Sequence, residues 1–212
     1  MNNLVIIGAG SMGRTVYSYA LESVGYGETF VVKGFIDDNL NALNKFPNYP
    51  PVLGTIKNYI PHEDDVFVSS IGGSPRHPCM EIIIRRGGKF INLIHKTARI
   101  YTNAKLGTGN VIGAYTVIGN DSEIGNYNLI LSYVVIAHDS KVGSWNRLDT
   151  HVACVWGSTI ENDVNIHTSA VISHNVKVES GAHVGALSFV LKDVSAGTTV
   201  IGNPAKLLYK KP

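Results

Sequence analysis

From Ile100 to Val190 an apolar residue returns at every sixth position: Ile100, Leu106, Ile112, Ile118, Ile124, Ile130, Ile136, Val142, Leu148, Cys154, Ile160, Ile166, Ile172, Val178, Val184 and Val190. Two places before the next one sits mostly a small or β-branched residue, as with Ala104, Thr116, Ser122, Val134, Ser140, Val152, Ser158, Val164, Ala170, Val176, Ala182 and Ser188. A period of six fits neither the helical 3.6 nor the simple strand's 2. It is the hexapeptide repeat of a parallel β-helix. Three hexads make the three flat sides of one coil, with the apolar residue pointing into a narrow prism and the small residue letting the chain turn the corner. No residue is missing or extra along the run, so every coil keeps its inward set inward. Residues 18 apart should therefore stack about 4.8 Å from one another.

The 212 residues leave room for a second domain in front of the prism, placing the boundary at residues 1–95 and 96–212. A net charge of +2, with both signs spread thinly, gives no nucleic-acid footprint and no polybasic membrane patch. The two cysteines, Cys79 in an expected helix and Cys154 at an inward hexad position, read as buried small hydrophobes of a reducing compartment. Met1-Asn2-Asn3 leads directly into a strand without a signal peptide, and no apolar run is long enough for a membrane span. The expected location is the cytoplasm.

Working back to the start, Leu4-Val5-Ile6-Ile7 is a continuous apolar run, as in a strand covered on both faces. Gly8-Ala9-Gly10-Ser11-Met12-Gly13 follows, then a helical pattern with Met12, Val16, Ala20 and Val24 on one side, ending near Gly25-Tyr26-Gly27. A second strand, Val31 to Ile36, ends in Asp37-Asp38. This β-α-β layout offers backbone N–H groups to a phosphate and an acid to a ribose. After a proline-containing loop to Gly54 come strand Val66 to Val68, the turn Ser69-Ser70-Ile71-Gly72-Gly73 and a helix with Ser74 as N-cap and Pro75 at its first position. Gly87-Gly88 stops it, and a strand from Lys89 to Leu93 enters the prism. Under 100 residues provide half of a dinucleotide fold, which suits a nucleoside-diphosphate sugar better than NAD.

The chain resembles the bacterial sugar acetyltransferases that include sialic acid O-acetyltransferases and N-acetyltransferases of nucleotide-linked 4-amino-sugars. The likeness rests on Ile7-Gly8-Ala9-Gly10, Gly34-Phe35-Ile36-Asp37-Asp38, Leu53-Gly54-Thr55-Ile56, Ser70-Ile71-Gly72, Phe90 to His95, the hexads, Ala137-His138-Asp139-Ser140, Lys192-Asp193-Val194 and Ile201 to Lys206, in family order. The resemblance implies an α/β half-Rossmann domain that holds the nucleotide-sugar, then a left-handed parallel β-helix. It also implies a homotrimer with active sites between neighbouring subunits, and acetyl-CoA lying along the prism without a metal.

Under the resemblance His138 is the catalytic base and Asp139 its partner, an imidazole with an orienting acid being suited to accept a proton from an attacking amine. Asp37 and Asp38 become the nucleotide contacts. Gly8, Gly10, Ser11, Gly72 and Gly73 line the phosphate and sugar path, and Arg76 is either a diphosphate contact or a solvated residue of a first helical turn. The acyl donor falls near Arg147, Trp156, Thr168, Gly185 and Ala186. Two positions depart from the family. Arg147 stands where a second histidine is common, and still donates to a thioester carbonyl. Trp156 stands where the family is usually small, one coil from His138, and either narrows the donor groove or offers a stacking face.

The main reading is transfer of acetyl from acetyl-CoA to the amine of a nucleotide-linked amino-sugar in surface-glycan biosynthesis. O-acetylation of a sialic acid is the first alternative, and a non-catalytic nucleotide-sugar binder with an altered donor groove is the second. His138 and His174 also resemble the zinc ligands of β-helix carbonic anhydrases, but the third position is Glu179.

Overall fold

The computed structural model describes residues 1–73 and 76–210, and the chain forms two compact units, residues 1–96 and 97–212. The first contains β1 (Asn2–Ile7), α1 (Ser11–Leu21), β2 (Phe30–Ile36), β3 (Asp65–Ser69), α2 (Arg76–Arg85) and β4 (Lys89–Phe90). The sheet order is β2-β1-β3-β4 and each pairing is parallel. Leu4, Val5, Ile6 and Ile7 are fully buried, as are Val16 and Ala20 of α1 and Met80 and Ile83 of α2. Parallel order puts the C-terminal ends of β1, β2 and β3 at one edge of the sheet, where open α/β sheets bind ligands.

Several local expectations change. The helix α1 stops at Leu21, where the Ser23 hydroxyl donates to the Tyr19 carbonyl at 2.7 Å, so Val24 is exposed instead of lying on the buried side. The strand expected from Lys89 to Leu93 divides into Lys89–Phe90 and Leu93–Ile94. Ser74 and Pro75, the expected cap and first residue of α2, lie outside the described residues. Cys79 is half-buried, not buried, and burial raises its thiol pKa with help from the Asp38 and Asp37 carboxylates.

The second unit is built from two-residue strands stacked into three flat faces. The first runs from Lys105–Leu106 through Glu123–Ile124, Lys141–Val142 and Thr159–Ile160 to Lys177–Val178. Another carries Val111–Ile112, Leu129–Ile130, Arg147–Leu148, Asn165–Ile166 and His183–Val184, and the third runs from Arg99–Ile100 through Val135–Ile136 and Ala153–Cys154 to Phe189–Val190. The stacking rule holds: Glu123 pairs with Lys141, Leu129 with Arg147 and Val135 with Ala153. From Ile112 to Val190 every inward hexad residue is buried, while Ile100 and Leu106 in the first coil are partly open. Near the end the spacing shortens, since His183 pairs with Thr199 and Val184 with Val200. The last strand, Lys206–Lys210, folds back antiparallel on Thr198–Ile201. Its Leu207, Leu208 and Tyr209 are exposed, and Lys211 lies outside the described residues.

The corners are made differently from the sequence expectation. The turning residue is the third after each apolar position and has left-handed φ, as in Asp121, Tyr127, Tyr133, Asp139, Trp145 and His151, or glycine at Gly109, Gly157 and Gly181. The small residue comes next and lies buried inside the corner, where the Thr116 hydroxyl donates to the Leu131 carbonyl and that of Ser122 to Ala137, both at 2.9 Å. A left-handed L-residue costs about 1–2 kcal/mol. Backbone bonds between coils offset it, such as Asp139 N–H to the Asn120 carbonyl at 3.0 Å. At three corners the buried residue is asparagine. Asn110, Asn128 and Asn146 are fully buried in one column, each Oδ1 accepting the backbone N–H of the residue one coil on.

Candidate active site

In the first unit the expected substrate residues converge beyond β1, β2 and β3. Gly8 has φ of 97°, and a Cβ there would meet the Ser70 Oγ at 2.6 Å. That hydroxyl donates to the Ile7 and Gly8 carbonyls at 2.9 and 3.1 Å, tying the turn after β3 to the turn after β1. Gly13 lets α1 approach, since its Cβ would sit 2.2 Å from the Gly8 oxygen. Asp37 accepts the Ala9 N–H through Oδ2 at 2.7 Å and the Asn39 N–H through Oδ1 at 2.8 Å. It therefore shapes the glycine turn from within. Asp38 is exposed and accepts one N–H, from Ile56 at 3.1 Å, through Oδ1. Gly10, Ser11 and Gly73 are exposed, Gly72 is half-buried, and no side chain caps the N-terminus of α1. Arg76 is neither solvated nor at the surface, being only 3% exposed.

In the prism His138 and Asp139 follow the inward Ile136 at a corner. Asp139 has φ of 58°, and its Oδ2 lies 2.6 Å from the His138 Nδ1. An ionised carboxylate only accepts, so the ring hydrogen is assigned to Nδ1 and Nε2 is left with a lone pair. Both side chains are more than half exposed, at 56% and 64%. Gly119 makes the close stacking possible, because a Cβ there would stand 2.5 Å from the His138 nitrogen. One coil on, Trp156 lies parallel to the His138 ring with centroids 6.2 Å apart, and His174 continues the stack at 5.2 Å. His138, Trp156 and His174, each one coil from the next, thus form three stacked rings. Among the described residues no three His, Cys, Asp or Glu side chains converge as a metal site needs.

The expected donor residues divide. Arg147 lies on the strand whose coil neighbours are Asn165 and His183, Gly185 follows Val184 on that face, and Thr168 and Ala186 follow at its exit corner. Trp156 belongs to a different corner, with His138. At the centre of the first group is a residue that sequence reasoning missed. Asp149 is 7% exposed, receives the Arg147 Nε at 2.7 Å on Oδ1, and lies 3.1 Å from the His167 Nδ1 through Oδ2. The 18-residue rule applied to outward positions would have found it, because Asp149 and His167 are one coil apart. A further pocket, about 560 Å³, is lined by Leu191, Lys192, Val194, Ala205, Lys206 and Leu207 near the last coil.

No protein-family model matches the chain. Over 49 residues it is 51% identical to the 2,3,4,5-tetrahydropyridine-2,6-dicarboxylate N-acetyltransferase of Staphylococcus aureus, a match to 23% of this chain and 20% of that protein. Over 50 residues it is 48% identical to the serine acetyltransferase of Buchnera aphidicola, 24% of this chain and 18% of the relative. The chain spans about a fifth of the length of the curated relatives it matches. Among solved structures, the acetyltransferase domain of PglB from Neisseria gonorrhoeae, in complex with acetyl coenzyme A, is 28% identical with a TM-score of 0.88, covering 98% of this chain and 100% of that one. WeeI from Acinetobacter baumannii is 25% identical with a TM-score of 0.86, at 98% and 100% coverage. PerB from Caulobacter crescentus, in complex with CoA and GDP-perosamine, shares the fold at 24% identity and a TM-score of 0.87, covering 99% of this chain and 98% of that one.

Proposed function

We propose that the chain is an acetyl-CoA-dependent N-acetyltransferase that acts on the amine of a nucleotide-linked amino-sugar in surface-glycan biosynthesis. The observation that carries this reading is the His138–Asp139 pair at 2.6 Å, exposed at a corner of a hexapeptide prism. Solved structures of the same architecture with acetyl-CoA or CoA support the donor, and the one with GDP-perosamine supports the acceptor class.

His138 Nε2 accepts the proton of the attacking amine as the new N–C bond forms, and returns it to the sulfur as the C–S bond breaks. Asp139 stabilises the imidazolium between the two transfers. Proton transfer by a positioned imidazole contributes about 10²–10⁴-fold. Because Arg147 lies on the face opposite the His138 corner of its own prism, it is Arg147 of the neighbouring subunit in the proposed trimer that donates to the carbonyl oxygen as it gains negative charge. Thr168, Gly185 and Ala186 flank the donor chain, and Trp156 borders its acyl end beside His138.

In the first unit the amides at Gly10 and Ser11 receive the diphosphate, with Gly8, Gly72 and Gly73 lining its path and that of the sugar, the Gly8 N–H being held by the Ile36 carbonyl at 2.9 Å and the open N-terminus of α1 favouring negative charge. Asp38 presents a carboxylate oxygen to the nucleoside and Asp37 holds the turn that receives it. We take the prism to be left-handed, the front sheet to be half of a Rossmann fold, and the assembly to be a cytoplasmic homotrimer. Outward Val117, Val135, Ala153, Val171 and Phe189 make one flat face apolar, with Val135 exposed, and threefold closure would cover such a face. No described helix is long and apolar enough to cross a membrane.

Calorimetric titration with acetyl-CoA, and separately with UDP-, dTDP- and GDP-linked 4-amino-sugars, tests the assignment. Binding of both classes, with turnover abolished in His138→Ala at an unchanged melting temperature, is the expected result. Failure of either class to bind would refute it.

A further inference from the structure

The outward ion pairs of the prism are not alike. Lys105 and Glu123 stack one coil apart on their face with side chains 77% and 52% exposed, and such a pair contributes little. The Asp149 carboxylate is only 10% exposed. A desolvated carboxylate is costly unless its oxygens are met, and here each oxygen has its own partner, Arg147 Nε on Oδ1 and His167 Nδ1 beside Oδ2. The division has a geometric consequence. A carboxylate facing an arginine alone commonly engages the fork through two parallel bonds. Because His167 holds Oδ2, Asp149 grips the guanidinium at Nε, and no other hydrogen bond of that guanidinium forms among the described residues.

We propose that Asp149 is a positioning residue of the acyl-donor site, clamping Arg147 through Nε so that both terminal nitrogens remain for the thioester carbonyl held beside His138 of the neighbouring subunit, while His167 fixes the carboxylate plane. The proposal rests on the acetyl-transfer reading and adds two residues to it. Asp149 touches neither donor nor acceptor; it acts through Arg147. With no clamp, the guanidinium samples many rotamers, and the oxyanion that forms during amine attack meets a donor that must first be ordered.

A double-mutant cycle separates this role from a structural one. In steady-state assays with acetyl-CoA and the amino-sugar selected by titration, Arg147→Ala should lower kcat about 10²-fold, the scale of one lost oxyanion donor. Asp149→Asn should lower kcat about tenfold at an unchanged KM for the nucleotide-sugar, a smaller loss because the donor remains but is less well placed. In the Arg147→Ala background, Asp149→Asn should cost nothing further in kcat. His167→Ala should follow the same pattern more weakly. Melting temperatures measured alongside isolate stability, since a purely structural Asp149 would lower them equally in both backgrounds and leave kcat per folded protein untouched. The proposal is overturned if Arg147→Ala is impaired and Asp149→Asn is not, or if Asp149→Asn costs the same factor with and without Arg147. A wild-type protein that neither binds acetyl-CoA nor transfers acetyl overturns the functional reading and this inference together.

Discussion

Asn128 is the middle rung of the buried amide column, and replacing it with alanine tests whether that column holds the prism together. Its Oδ1 accepts the Asn146 N–H at 2.8 Å, while its Nδ2 donates to the Gly143 carbonyl at 2.9 Å and to the Asn110 Oδ1 at 3.0 Å. Asn110 Oδ1 keeps a second donor, the Asn128 backbone N–H at 2.9 Å, so its loss is small. The Asn146 N–H loses its acceptor in the buried interior, and the half-buried Gly143 carbonyl loses one donor. At about 1–3 kcal/mol for a buried group left unmet and about 0.5–1.5 kcal/mol for a hydrogen bond lost beside solvent, the variant should lose about 1.5–4.5 kcal/mol. Both tryptophans, Trp145 and Trp156, lie in the prism, so indole emission during urea titration follows that unit selectively. The expected result is a lowered midpoint at an unchanged slope. A midpoint within about 0.5 kcal/mol of wild type, the usual range for inconsequential surface changes, would refute the reasoning and show that the coils are held by their apolar interior alone.

Burial pushes the Cys154 thiol up to about 12, so at pH 7 only about one molecule in 10⁵ carries the thiolate. Iodoacetamide should leave Cys154 unmodified in the folded protein and label it after denaturation; modification at equal rates in both states would contradict the packed interior. Burial lowers the pKa of His95, with Glu22 opposing and Lys96 assisting. The unfolded chain then takes up more protons as pH falls through its own value of about 6.5, so the stability contributed by neutral His95 is present above that pH and lost below it. Urea midpoints at pH 7.5 and 5.5 should differ less in His95→Gln than in wild type, and an unchanged difference would remove the assignment. Trp156→Gly takes away the ring between His138 and His174, and should lower kcat more than acetyl-CoA affinity. A fall in affinity alone would place the indole against the donor instead.

The period of six was legible because inward positions obey one constraint without exception, and the 18-residue rule put Trp156 one coil from His138. The corners were less legible. A left-handed residue is usually betrayed by Gly, Asn or Asp, but here Tyr127, Tyr133, Trp145, His151 and Leu187 adopt it, because bonds and stacking from adjacent coils override the local preference. Asn110, Asn128 and Asn146 passed unnoticed for a similar reason, since asparagine reads as a surface residue until a column of its own kind meets its hydrogen bonds. Asp37 was legible in place and only partly in role, because nothing in Asp37-Asp38 tells which acid turns inward to the Ala9 amide. Asp149 escaped because outward residues carry no periodic signal, and its partners become visible only when the coils are laid over one another.

The last strand bears on a hazard of this architecture. A stack of parallel coils ends in a row of backbone donors and acceptors ready to template another chain, the feature from which cross-β fibrils grow. Here the spacing shortens at His183–Thr199, and Lys206–Lys210 reverses direction across Thr198–Ile201, so the terminal edge is antiparallel and out of step with the coils behind it. A second molecule arriving end-on finds no matching register on which to continue the helix. On this face the fold-back caps the stack, and a chain cut after Ile201 should keep its prism yet assemble into end-to-end filaments, read as a rise in light scattering.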